Sequence, residues 1–165
     1  MSGHGQAELR AALTDVVADS ALLLDERRFG EWIDLTAPEF HYRIEAYSPD
    51  IRKNMVWLEH NRAGMVALIE LLPKHHTDGG DWLRQVSVGK VTSDGPAAAS
   101  AVSSLSVFHT TRDVGNAHVD GGSSRLLLVG RYHDRFEHDG ERWLLGERVV
   151  RLHTRQLGVG SHLFP

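Results

Sequence analysis

The stretch "GRYHDRFEHDGERWLLGERVV", Gly130–Val150, reads as two β-strands folded back on each other. Asp139-Gly140 at its centre is the dipeptide favoured in a two-residue type I′ turn, where both residues take positive φ. Side chains alternate across a strand. Tyr132, Asp134 and Phe136 therefore share one side, and Arg131, His133 and Arg135 the other. With Asp139-Gly140 as the whole turn, His138 lies opposite Glu141, Phe136 opposite Trp143, Asp134 opposite Leu145, Tyr132 opposite Glu147 and Leu128 opposite Arg151. This register predicts one face with Tyr132, Asp134, Glu147, Phe136, Trp143 and Leu145. The other face carries Arg131, His133, Arg135 and Arg148, with Glu137 facing Arg142. The Phe136–Trp143 pair contributes about 0.2–1 kcal/mol. Arg131 facing Arg148 is repulsive unless an acid lies nearby.

Upstream of the hairpin, "WLRQVSVGKV" and "AAASAVSSLSVFHTT" are two further strands divided by the turn "TSDGP". The hairpin strands extend to "SRLLLVGRYHDRFEH" and "ERWLLGERVVRLHTR", and "RDVGNAHVDGG" is a longer loop before them. The N-terminal part has the other period. Leu9, Leu13, Val16, Val17 and Leu23 recur at helical spacing over residues 7–25. "ERRFGEWIDL" predicts a second, short helix that Pro38 stops. "FHYRIEAY", Phe40–Tyr47, alternates as a half-buried strand, and "SPD" turns the chain. "NRAGMVALIELLPKH" predicts a third helix capped by Asn61, with Met65, Leu68, Ile69 and Leu72 as its apolar stripe and Pro73 as its end. "HHTDGGD" is a loop. Residues 1–165 form one domain without repeat or linker. Helices followed by long antiparallel strands define an α+β fold, with the N-terminal helices packed on a strongly curved sheet.

Composition narrows the function. The formal charge of −4 argues against a nucleic-acid binder. No apolar run approaches the ~18 residues of a membrane span, and "MSGHGQAELR" lacks the apolar core of a secretory signal. The expected location is cytoplasmic. The sequence has no cysteine. That excludes disulfides, thiolate catalysis and every iron–sulfur cluster held by this chain alone, since even the Rieske type needs two Cys beside two His. The eleven histidines come nearest to a metal pattern at His75, His76 and Asp78, and at His133 and His138. Neither has zincin spacing, and no metal site is expected. No phosphate loop, nucleophile elbow or kinase signature is present.

Two functional readings of the hairpin compete. In the first, Tyr132, Asp134 and Glu147 among aromatics form an acid–base pocket, with His41 and His109 as partners, because apolar surroundings raise a carboxyl pKa. The bland alternative places both acids in structural ion pairs. In the second, Arg131, His133, Arg135 and Arg148 among Val129, Val150, Leu127 and Leu152 form a subunit contact, where Arg is enriched. Arginine stems lying over aliphatics on a solvated face are the bland alternative there. The interface reading is preferred, with no catalytic residue.

Over residues 8–155 the order of "LLLDERRFGEWIDL", "FHYRIEAY", "LRQVSVGKV" and the final hairpin resembles the small (β) subunits of Rieske-type ring-hydroxylating dioxygenases, within the NTF2-like, or SnoaL-like, superfamily. The resemblance implies a cone-shaped, cystatin-like α+β fold. It implies a trimer of β subunits, an α3β3 hexamer with a large (α) subunit, and a role in aromatic catabolism. The Rieske [2Fe-2S] cluster and mononuclear iron would lie in the large subunit, none in this chain, and the β subunit would support assembly and tune specificity for an aromatic acid. "YSPDIRKNMVWLEHNRAGMVALIELLPKHHTDGGDW" departs from the aromatic-dioxygenase pattern and is similar to small subunits of methanesulfonate-type monooxygenases. The tail "LGVGSHLFP" lacks the family's aromatic-rich ending. A stand-alone isomerase or dehydratase of the same fold, or a ligand-binding module, is the remaining alternative. Its pocket would have to stay open rather than be plugged by Trp57, Trp143 and Phe136.

Overall fold

In the computed structural model, which describes residues 3–75, 80–111, 122–153 and 165, the N-terminal helices are α1 (Gly3–Asp25) and α2 (Phe29–Asp34). α1 buries Leu13, Val17 and Leu24, and α2 buries Trp32 and Ile33. β1 (Thr36–Ser48) starts ahead of Pro38. Pro38 thus lies inside a strand instead of stopping a helix. It falls between Thr36 and His41, where the β1–β6 register shifts, a place that a residue without an N–H can occupy.

β2 (Lys53–Asn61) is a strand that the sequence reading did not contain. It pairs only with β1, at the sheet edge, and most of its side chains are exposed. Only Met55, Leu58 and His60 are half-buried, so it shows no clean alternation. α3 (Arg62–His75) follows at once, and the Asn61 Oδ1 accepts the Gly64 N–H at 2.9 Å, the expected cap. The helix ends two residues beyond Pro73, since a proline in the last turn forfeits a single N–H bond. β3 (Asp81–Ser93), β4 (Ala98–Thr111), β5 (Ser123–His138) and β6 (Trp143–Leu152) match the four expected strands. The expected loop at residues 112–122 lies almost wholly outside the described residues.

The six strands form one sheet in the order β2-β1-β6-β5-β4-β3, antiparallel except for the parallel β1–β6 pair. Register shifts interrupt all five pairings. Such bulges bend strands and raise twist, which curves the sheet into a cone around its helices. α1 crosses β3 and reaches β6, while α3 packs on β1 and β2. The core on this inner face includes Trp32, Phe40, Tyr42, Leu105, Val107, Tyr132, Phe136, Leu145 and Val150.

The hairpin forms, but its register differs from the expected one. The connection is the four residues 139–142. Asp139 Oδ1 accepts the N–H of Glu141 and of Arg142, each at 2.9 Å. Those backbone bonds, Arg142 first, hold the Asp139 carboxyl below its ordinary pKa. His138 therefore opposes Trp143 and Glu137 opposes Leu144. A shift of two residues leaves every side chain on its expected face. A second irregularity changes that. Phe136 opposes Leu145 but Arg135 opposes Glu147, so Gly146 is an extra residue in β6. Beyond it, the face of every β6 side chain is exchanged. Asp134 faces Arg148, Tyr132 faces Val150, and Arg131 faces Arg151.

Candidate functional site

Inside the cone, Arg148 and Asp134 are fully enclosed. Arg148 donates from Nε to Asp134 Oδ1 at 2.9 Å and from Nη2 to Oδ2 at 2.8 Å. Its Nη1 donates to Ser20 Oγ at 2.7 Å, and the same hydroxyl accepts Trp32 Nε1 at 2.9 Å. The guanidinium carbon lies 3.9 Å from the centre of the Tyr132 ring. Burial pushes the Arg148 pKa down, but attraction and hydrogen bonding to Asp134 outweigh it and hold the cation above its ordinary value. Burial is also the main cause raising the Tyr132 and Tyr42 phenols above their usual range. Tyr42 donates to the Pro165 carbonyl oxygen at 2.6 Å. At one end of the cone Arg84 is tied to Asp25, and His109 is buried with its ring edge-on to Trp82, centroids 5.7 Å apart.

The proposed acid–base set does not converge. Tyr132, Asp134 and His109 lie on the inner face. Glu147 and His41 are register partners on the outer face, which corrects the expectation that Glu147 joins Tyr132 and Asp134. Asp134 is committed to Arg148 through both oxygens, the structural ion pair that was the bland alternative. Phe136 is buried as expected of a plug, whereas Trp57 is 42 % exposed on edge strand β2 and plugs nothing.

The contact set is likewise corrected at one position. Arg131, His133 and Arg135 are on the outer face, but Arg148 is in the core with no surface for a partner. The outer face gains residues that the sequence reading did not single out. Glu45, 4 % exposed, accepts Arg151 Nε on Oε1 at 2.7 Å, and its Oε2 lies 3.4 Å from Arg43 Nε. Glu147 Oε2 lies 3.4 Å from Arg135 Nε. His41 Nε2 is 3.2 Å from Glu59. A hollow of about 340 Å³ opens here, lined by Arg43, His133, Arg135, Glu147, Val149 and Arg151 among others. Burial, then the Arg151 charge, lowers the His133 pKa below its ordinary 6.5. A neighbouring hollow of about 470 Å³ shares Ser100 and Arg135 with it.

Among the described residues no group of three or more His, Asp or Glu is arranged to hold a metal ion. His133 and His138 are five positions apart on one strand and so point to opposite faces. His76 and Asp78 of the other candidate lie outside the described residues.

Helices packed inside a strongly bent, mostly antiparallel sheet agree with a SnoaL-like domain, and the SnoaL-like family model matches residues 5–149. The chain belongs to that family, and within it to the β subunits of oxygenases. It is 40 % identical over 152 residues to the methanesulfonate monooxygenase hydroxylase subunit beta of Methylosulfonomonas methylovora, covering 92 % of this chain and 84 % of the relative. It is 22 % identical to the 2-aminobenzenesulfonate 2,3-dioxygenase subunit beta of an Alcaligenes species, covering 92 % and 96 %. In fold it is similar to a β subunit assigned to an aromatic-ring-hydroxylating dioxygenase of Novosphingobium aromaticivorans, with TM-score 0.79 and 20 % identity over 96 % of this chain and 97 % of that one. A naphthalene 1,2-dioxygenase chain gives TM-score 0.72 at 14 % identity, covering 96 % and 84 %.

Proposed function

We propose that this chain is the non-catalytic small subunit of a cytoplasmic Rieske-type oxygenase, built as a trimer of β subunits beneath large subunits in an α3β3 hexamer. The observation that carries this reading is the Asp134–Arg148 pair. A carboxylate held by a bidentate guanidinium, with no exposure, has no water access for proton transfer. Lacking cysteine, the chain has no means to ligate a Rieske cluster by itself. The redox centres and the reacting substrate belong to the large subunit, and this chain supplies shape and contact surface. Among the described residues no helix is long and apolar enough to cross a membrane.

The two curated relatives both carry a sulfonate in the names of their enzymes, and the nearer in identity of these two is a monooxygenase. This supports a sulfonate-bearing substrate for the assembled enzyme and monooxygenation as its reaction. Co-expression with a Rieske-type oxygenase large subunit from the same source tests the reading. The expected result is one stable complex whose oxygenase activity needs both chains, with visible absorption contributed by the large subunit. A large subunit fully active alone, or turnover of substrate by this chain alone, would falsify it.

A further inference from the structure

Arg43 on β1, Arg151 on β6 and Arg135 on β5 line the outer hollow from three adjacent strands. They surround Val149, which the register sets between Arg43 and His133. Glu45, Glu59 and Glu147 match their charges but not their donors. Arg151 donates through Nε to Glu45 Oε1 at 2.7 Å, and Arg135 Nε lies 3.4 Å from Glu147 Oε2. Arg43 Nε is buried 3.4 Å from Glu45 Oε2 without completing a hydrogen bond, and its Nη1 lies 4.0 Å from Glu59 Oε1. Among the described residues, the terminal nitrogens of all three guanidinium groups therefore make no hydrogen bond.

These donors are held in advance. Glu45 is buried and also accepts Asn54 Nδ2 at 3.0 Å, so Arg43 and Arg151 are anchored to a carboxylate that is itself fixed. Little side-chain entropy remains to be lost when they bind a further acceptor. The hollow holds about 340 Å³, room for a small molecule. Its lining includes two apolar side chains, Val149 and Val102. A planar carboxylate, with two oxygens, is satisfied by the fork of one guanidinium. Forks arriving from three strands suit a tetrahedral head with three terminal oxygens.

We infer that this hollow binds a small organic sulfonate. Its oxygens take the open Nη donors of Arg43, Arg135 and Arg151, and its carbon end rests on Val149 and Val102. The choice of sulfonate among tetrahedral oxyanions rests on the substrate reading above.

The full chain is titrated calorimetrically with methanesulfonate and with acetate at a constant ionic strength of about 0.15 M. Methanesulfonate is expected to saturate one site per chain and to bind more tightly than acetate. Arg135→Gln and Arg151→Gln are each expected to weaken it roughly fivefold. Arg125→Gln, near the opposite end of β5, is expected to change nothing. Arg135 is 77 % exposed, so its replacement keeps the test valid even where Arg151→Gln loosens the fold. No saturable binding, binding no tighter than that of acetate, or wild-type affinity in Arg135→Gln overturns the inference. Binding by the isolated chain that disappears in the co-expressed complex also overturns it, and gives the hollow to a subunit contact. Each of these results leaves the small-subunit reading intact. A complex that binds methanesulfonate in the hollow and oxidises no sulfonate overturns the substrate reading and not the site.

Discussion

Asp134 and Arg148 face each other across β5 and β6 and meet through two parallel hydrogen bonds of 2.8–2.9 Å, with no solvent exposure on either side chain. Two opposite charges leave water together here, and the cone interior becomes a fixed polar core. Breaking one member strands the other. Arg148→Met is expected to cost about 3–5 kcal/mol, and Asp134→Leu a similar amount, whereas the double replacement falls well short of their sum. Urea unfolding of the four proteins in a double-mutant cycle measures this. Additive losses would show that the pair is not the unit of stability.

Ser20 joins that pair to the helices. Its hydroxyl accepts from both Arg148 and Trp32. Ser20→Ala removes the acceptor that the buried Arg148 and Trp32 donors share and is expected to destabilise by about 2–3 kcal/mol, far more than a Ser→Ala change at an exposed site. Thermal unfolding followed by circular dichroism gives the comparison. In an Arg148→Met background the effect shrinks, because one of the two donors is already gone.

His133 links the outer face to pH. Its folded pKa is depressed by burial and then by Arg151, so the native protein binds fewer protons than the unfolded chain once the pH falls below about 6.5. Its contribution to stability is complete above that value and declines as the pH drops through the folded pKa. An NMR titration of the imidazole should place the midpoint below 6.5, and Arg151→Gln should move it upward by removing a cation. A midpoint at or above 6.5 in the wild type would contradict the arrangement.

Gly130 marks a close approach of two strands. A Cβ there would lie 2.5 Å from the Arg151 carbonyl oxygen, and backbone cannot swing aside. Gly130→Ala is expected to lose about 1–3 kcal/mol by spreading β5 from β6. At Gly146 the nearest obstacle is the flexible end of Glu137, at 2.9 Å, and Gly146→Ala should be milder. Parallel denaturation curves decide between them, and equal losses at the two positions would refute the argument.

Much of the architecture is local and was readable in order along the chain. Apolar spacing of 3.6 marked α1, and the Asn61 cap marked the start of α3. Period-two alternation marked the long strands, because each of those patterns reports burial of one face of a regular element. β2 escaped because, on an edge strand with most side chains exposed, burial is too partial to impose a clean period-two pattern. Ser20 was a legible oddity, a hydroxyl between Val17 and Leu24 on the buried stripe of α1, but only the fold shows that Arg148 and Trp32 meet it.

The hairpin's existence was fixed by residues 130–150 themselves, whereas its face assignment was not. Strand pairing repeats every two residues, so the single extra residue at Gly146 exchanges the two sides of β6 beyond it. That exchange takes Arg148 from the surface to the core, sends Glu147 outward, and turns a candidate catalytic acid into half of an ion pair. An isolated glycine within a strand signals that a bulge is available. Whether the bulge forms depends on the balance between burying Arg148 against Asp134 and Ser20 and leaving it in water. That balance exists only once α1, β5 and β6 are packed together. Absence of cysteine, by contrast, needs no packing to take effect, and from the sequence alone it barred this chain from holding a Rieske cluster by itself.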